Sequence, residues 1–178
     1  FFLLFLWVNV SSLYYIHKIM SFTKDKESDN YITNKESWLK IKDYIPKDKI
    51  IWCPFYCNGE QKEIFREMGH DIIHQDKDFF SYTPKYDLVI DNPPFSKKKE
   101  VLQRLYELDK PFILICPCML LGYKYFQENF KNHIQIIIPS KRINFRHLNS
   151  EKKNYSPPFA SFYFCYKLNL KKDLIFIE

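Results

Sequence analysis

The chain has 178 residues, enough for one domain with a sizeable core and too few for a second large module. Apolar residues make up 46% and charged residues 27%, which excludes a disordered chain, and aromatics reach 19%. The formal net charge of +6 is compatible with a phosphate-bearing partner, although a Lys-rich coding bias would give the same excess.

Residues 1–19 begin with the apolar run FFLLFLWV. That run is much shorter than the ~20 residues of a membrane span, and no basic leader precedes it. It is expected to be an extension outside the native domain, and no membrane partner is expected. Residues 20–45 read as a polar lead-in ending in a short helix (Trp38, Leu39, Ile41, Tyr44, Ile45) that stops before Pro46. Residues 46–170 form the domain proper, and 171–178 read as a C-terminal tail. Within the domain, Lys49 to Cys53 is a short apolar run closed by Pro54, a candidate buried strand. Residues 60–68 predict a helix ended by Gly69. His70 to His74 and Tyr86 to Ile90 predict two further strands, the second stopped by Asn92-Pro93-Pro94. Ser96 is a suitable N-cap for a helix over 97–109 with Val101, Leu102, Leu105 and Leu108 on one face. Phe112 to Cys116 predicts a strand, 121–130 a helix, Ile134 to Ile138 a strand, and Ala160 to Leu168 a last strand. Continuous apolar strands alternating with helices predict an α/β fold, with a mostly parallel sheet covered on both faces. Ligands of such sheets sit beyond the carboxyl ends of the strands.

The cysteines (Cys53, Cys57, Cys116, Cys118, Cys165) form no CxxC pair, and His17, His70, His74, His133 and His147 have no metal-ligand spacing. No metal is expected, and the thiols read as reduced and buried in a cytoplasmic protein.

The sharpest motif is Asp91-Asn92-Pro93-Pro94-Phe95, directly after the strand YDLVI. Two prolines fix the backbone and remove two amide donors, leaving carbonyl acceptors. Asn92 adds a side-chain acceptor and Phe95 a flat face. This set suits a planar ring bearing an amino group: acceptors take the amine hydrogens while an aromatic ring stacks on the base. An exocyclic amine is a poor nucleophile because its lone pair is delocalised. Hydrogen bonds to the Asn92 side chain and the Pro93 carbonyl favour a pyramidal nitrogen, so catalysis is mainly positioning.

Asn92-Pro93-Pro94-Phe95 resembles the (Asp/Asn/Ser)-Pro-Pro-(Tyr/Phe) motif of amino-methyltransferases, and residues 50–168 resemble the Dam-like and phage-type DNA adenine-N6 methyltransferases in motif order. The resemblance implies a Rossmann-like class I methyltransferase sheet with a last antiparallel strand. It also implies S-adenosylmethionine as cofactor, DNA as partner, a flipped-out target base, and Asn92, Pro93, Pro94 and Phe95 as catalytic residues. Pro54-Phe55-Tyr56-Cys57-Asn58-Gly59 resembles that family's Pro-Phe-x-Gly-x-Gly cofactor loop, with Cys57 in place of the first glycine. By the same resemblance Asp76 takes the ribose hydroxyls, and Asp78 and Phe79 take the adenine. Arg142-Ile143-Asn144-Phe145 resembles the Arg-Ile-x-Phe element, which makes Phe145 the pocket wall opposite Phe95. Lys141, Arg142, Arg146 and Lys97 are candidate phosphate contacts. Ser156-Pro157-Pro158-Phe159 reads as structural. RNA adenine, cytosine N4 and protein glutamine present the same planar amine, and a non-catalytic nucleic-acid-binding domain is the reading from another class. Neither monomer nor dimer is favoured by the sequence.

Overall fold

A computed structural model describes residue 29, residues 31–148 and residues 157–178; the apolar run at 1–19 and Ser156 lie outside the described residues. Strands are β1 (Tyr31–Thr33), β2 (Ile51–Trp52), β3 (Ile72–Ile73), β4 (Leu88–Asp91), β5 (Phe112–Pro117), β6 (Ile134–Pro139), β7 (Phe145–His147), β8 (Ser161–Tyr166) and β9 (Leu174–Ile177). Helices are α1 (Lys35–Leu39), α2 (Gln61–Glu67), α3 (Lys98–Leu108) and α4 (Lys124–Phe130).

The main sheet has seven strands in the order β3-β2-β4-β5-β8-β6-β9. Strands β3, β2, β4 and β5 are mutually parallel, β8 runs antiparallel to both its neighbours, and β9 is parallel to β6. This is the Rossmann-like, mostly parallel sheet expected, with helices on both faces. The antiparallel strand is not the last one. It is inserted between β5 and β6, and the segment 171–178, read from sequence as a tail, carries the parallel edge strand β9. Its alternation of partly buried Ile175 and Ile177 with exposed Leu174 and Phe176 is only four residues long, too short to stand out against a tail.

Alternation along the strands divides the core into two clusters. Ile51, Leu88, Ile90, Ile113, Ile115, Tyr163 and Cys165 pack with Trp38 and Phe65. Trp52, Val89, Phe112, Leu114, Cys116, Phe164 and Tyr166 pack with Leu102, Leu105, Phe126 and Phe130. Both faces are therefore apolar, which is why the strands read as unbroken hydrophobic runs. Tyr163 donates its hydroxyl to the Ser37 carbonyl at 2.5 Å, which satisfies a phenol inside the first cluster. Gly69 ends α2 with φ +84°, as its position predicted.

Two local expectations change. Ser96 does not cap α3. Phe95–Lys97 form a 3-10 turn, Lys97 is the N-cap residue without a side-chain cap, and Ser96 bonds elsewhere. The polar lead-in also contains β1, which pairs with β7 in a separate two-stranded ladder, Tyr31 opposite His147 and Thr33 opposite Phe145.

Candidate functional site

Four loops that carry the sequence motifs meet at the carboxyl edge of the parallel strands. Asp91, the last residue of β4, is 1% exposed and joins two of them. Its carboxylate accepts the Phe55 amide at 2.7 Å from the loop after β2, and the Asn92 amide at 2.8 Å from its own loop. Burial pushes this carboxyl up to about 8, against the pull of the amide bonds from Phe55 and Asn92 and of the Gln61 side chain. Gln61 adds a second tie, donating to the Ile90 carbonyl at 3.2 Å.

The loop after β4 is held rigidly. Pro94 sits at φ −59°, the Lys97 amide donates to the Pro94 carbonyl at 3.1 Å, and the Lys98 ammonium donates to the Phe95 carbonyl at 3.1 Å. Burial lowers the Lys98 pKa. Ser96 gives both its amide, at 3.1 Å, and its hydroxyl to the carboxylate of Asp29. Within this rim the side-chain oxygen of Asn92 is buried and has no hydrogen-bond partner. An orphaned buried acceptor costs about 1–3 kcal/mol, so a site that retains one invites a donor.

The loop after β2 turns through two left-handed residues, Cys57 at φ +48° and Gly59 at φ +82°. Cys57 thus adopts the conformation that a glycine would favour. It is exposed rather than buried, unlike Cys53, Cys116 and Cys165. The Tyr56 ring lies across Gly59, where a Cβ would meet the phenol oxygen at 2.8 Å. The same ring packs on His74, centroids 5.0 Å apart, and His74 Nδ1 bonds the Cys53 carbonyl at 2.7 Å. His74 Nε2 is buried without a partner, and burial lowers the His74 pKa. Pro54 is buried and Phe55 half-buried.

After β3, Asp76 and Asp78 are exposed, while Phe79 is 4% exposed and packs on Phe55 at 5.1 Å and Trp52 at 5.6 Å. The Ser81 hydroxyl and the Phe80 amide hold the Asp78 carboxyl below its usual range. The guanidinium of Arg104 lies 5.4 Å over the Phe79 ring. Phe145 meets Phe95 edge-on, centroids 6.2 Å apart at 90°, and Phe159 packs on the same ring at 5.8 Å. Phe95 and Phe145 are 5% and 2% exposed, so the two rings cover each other and leave no slot for a base between them. Arg146 pairs with Glu60 beside the β2 loop. Arg142 donates to the Pro157 carbonyl at 3.4 Å, Lys141 is exposed, and Lys97 lies 5.7 Å over the Phe80 ring.

Asp91, Gln61, Tyr56, His74 and Asp29 escaped the sequence reading as site residues. Asp91 alone had a signal, a carboxylate at the end of an apolar strand, immediately before Asn92-Pro93-Pro94. Among the described residues no group of His, Cys, Asp and Glu side chains is arranged to hold a metal ion, and no helix is long and apolar enough to cross a membrane.

No family model matches the chain, and no curated protein matches it. Among solved structures, a protein of Pyrococcus horikoshii described provisionally as an RNA methyltransferase is similar at a TM-score of 0.47 and 13% identity, over 85% of this chain and 97% of that one.

Proposed function

We propose that this chain is an S-adenosylmethionine-dependent methyltransferase acting on the exocyclic amine of a base, N6 of adenine in DNA. The observation that carries the reading is the buried, unpartnered side-chain oxygen of Asn92 on a proline-held rim at the carboxyl edge of the sheet. Asn92 and the Pro93 carbonyl accept the two amine hydrogens and favour a pyramidal nitrogen whose lone pair is free to attack. Pro94 fixes the rim. Phe95, packed against Phe145, backs the rim as an apolar support.

The cofactor's fit rests on the loop after β2. Its left-handed turns at Cys57 and Gly59 bring backbone to the edge beside Asn92, and Asp91 bonds both loops. Pro54, Phe55, Cys57 and Gly59 line that position; Asp76 offers an exposed carboxylate to ribose hydroxyls, and Asp78 with Phe79 faces the adenine end. When bound, S-adenosylmethionine supplies an electrophilic methyl group. Lys97, Lys141 and Arg142 serve the nucleic-acid backbone.

Methyl transfer from labelled cofactor to DNA, RNA and protein acceptors, with mass spectrometry of the product, tests the reading. N6-methyladenine in DNA is expected, and Asn92→Ala is expected to lower the rate about 100-fold or more, by analogy with the loss of one positioned polar contact in other active sites. Cofactor affinity measured by calorimetry should stay within a few-fold of wild type. A product on RNA alone would move the substrate to RNA. No cofactor binding at all would leave a nucleic-acid-binding domain.

A further inference from the structure

Strand β9 is the least covered part of the sheet. It pairs with β6 on one side only. Ile175 and Ile177 turn toward the core, whereas Leu174 and Phe176 are 54% and 75% exposed, the most exposed large apolar side chains among the described residues. The backbone is divided in the same way. The carbonyls of Asp173 and Ile177 accept from Ile136 and Ser140, each at 2.7 Å, so the odd-numbered residues direct their polar groups to β6. By the alternation of a strand, Leu174 and Phe176 direct theirs outward. An edge with free backbone groups and apolar side chains is a template for strand pairing.

The sequence around this edge selects its partner. Antiparallel pairing across the seam opposes residues that both direct backbone groups into it, so Leu174 and Phe176 must face even-numbered residues. Every two-fold centred on a residue satisfies this; centres at Asp173 and Ile177 put Leu174 against Lys172 and Phe176 against Glu178, and the centres between them are Leu174, Ile175 and Phe176. Centring on Leu174 puts Lys172 against Phe176, and centring on Phe176 puts Leu174 against Glu178. Centring on Ile175 opposes Leu174 with Phe176 and Lys172 with Glu178, in both halves of the seam, apolar on apolar and cation on anion. Lys172 and Glu178 flank the strand and are both exposed; the Lys172 carbonyl accepts from the Gln135 side chain at 3.3 Å, so this pair meets through side chains and not through the ladder. The opposite edge, β3, has two residues, too few to support a head-to-tail filament through β9.

We propose that β9 is a homodimer interface: a second copy of this chain pairs with it antiparallel about a two-fold axis at Ile175, joining the two sheets into one. The proposal does not depend on the chemistry at the carboxyl edge.

Sedimentation equilibrium of the full chain, kept reduced, is the test. A dimer is expected at micromolar concentration, and Phe176→Lys is expected to weaken it by ~30-fold or more, the loss of one interface anchor. Circular dichroism checks that the variant is folded. Lys172→Glu should weaken the dimer several-fold, and adding Glu178→Lys in the same chain should restore it. Amide hydrogens of Leu174 and Phe176 should be protected from exchange in the dimer and unprotected in the Phe176→Lys monomer. A wild-type chain that stays monomeric, a dimer unmoved by Phe176→Lys, or an edge that takes up only a different protein would each overturn the proposal.

Discussion

Asp91 is the residue on which the proposed site turns, because one buried carboxylate touches both the loop after β2 and the loop after β4. Its pKa is raised to about 8 by burial, whereas an unfolded aspartate titrates near 3.9. Between these values the folded chain binds a proton that the unfolded chain has released. Stability from this group therefore falls as pH rises from about 4 to 8, then levels off. Burial raises the thiols of Cys53 and Cys57 above their usual value, and the Asp91 carboxylate beside them raises both further. The Asp91→Asn variant carries no titrating proton there. Urea unfolding of both proteins at pH 5, 6.5 and 8 should show the wild type losing ground to the variant by an amount on the order of a few kcal/mol. A constant difference across that range would mean Asp91 is already ionised in the folded chain. Cofactor affinity should nonetheless drop in Asp91→Asn at every pH, since an amide cannot accept from the Phe55 and Asn92 amides on both of its side-chain heavy atoms.

The loop from Pro54 to Gly59 shows what sequence could and could not convey at the level of elements. Its place after an apolar strand and the need for glycine-like turns were both legible. The left-handed backbone at Cys57 follows the position, not the residue type. A non-glycine residue there costs roughly 1 kcal/mol, part of which glycine gives back in unfolded-chain entropy. Cys57→Gly is accordingly expected to raise stability by about 0.5 kcal/mol or leave it unchanged, read from the urea midpoint, and it should not weaken cofactor binding. The helices and central strands were also legible, because apolar period and proline stops coincide along 49–139. How deeply the aromatic residues sit was not legible, for a physical reason. Phe79, Phe95 and Phe145 were assigned open faces, yet a ring next to a motif gains as much by packing on other rings as by facing a ligand, and all three are buried. Strands β1 and β7, each three residues long, left no periodic trace because a ladder between them is a long-range property. Asp29 on Ser96 belongs to the same kind: the two lie 67 residues apart in the chain.

At the scale of the molecule, the basic excess has few clear outlets near the site. Arg146 is paired with Glu60, whereas Lys141 and Arg142 are exposed, Arg142 also donating to the Pro157 carbonyl. Lys141→Ala is expected to weaken DNA binding uniformly across sequences and to reduce the salt slope of log K by about 1, as measured by anisotropy over a salt series. An unchanged slope would place the phosphate path elsewhere, for instance along Lys97. The strand order also sets when the domain can close. Among the described residues, the half-sheet β3-β2-β4-β5 and the pair β6-β9 are joined in the sheet by β8, whose ladder to each neighbour supplies the hydrogen bonds. Until Ser161–Tyr166 pairs, the facing edges of β5 and β6 are both open, and the ladders that close them join residues far apart in the chain, so docking of β8 is a non-local and therefore slow step of folding.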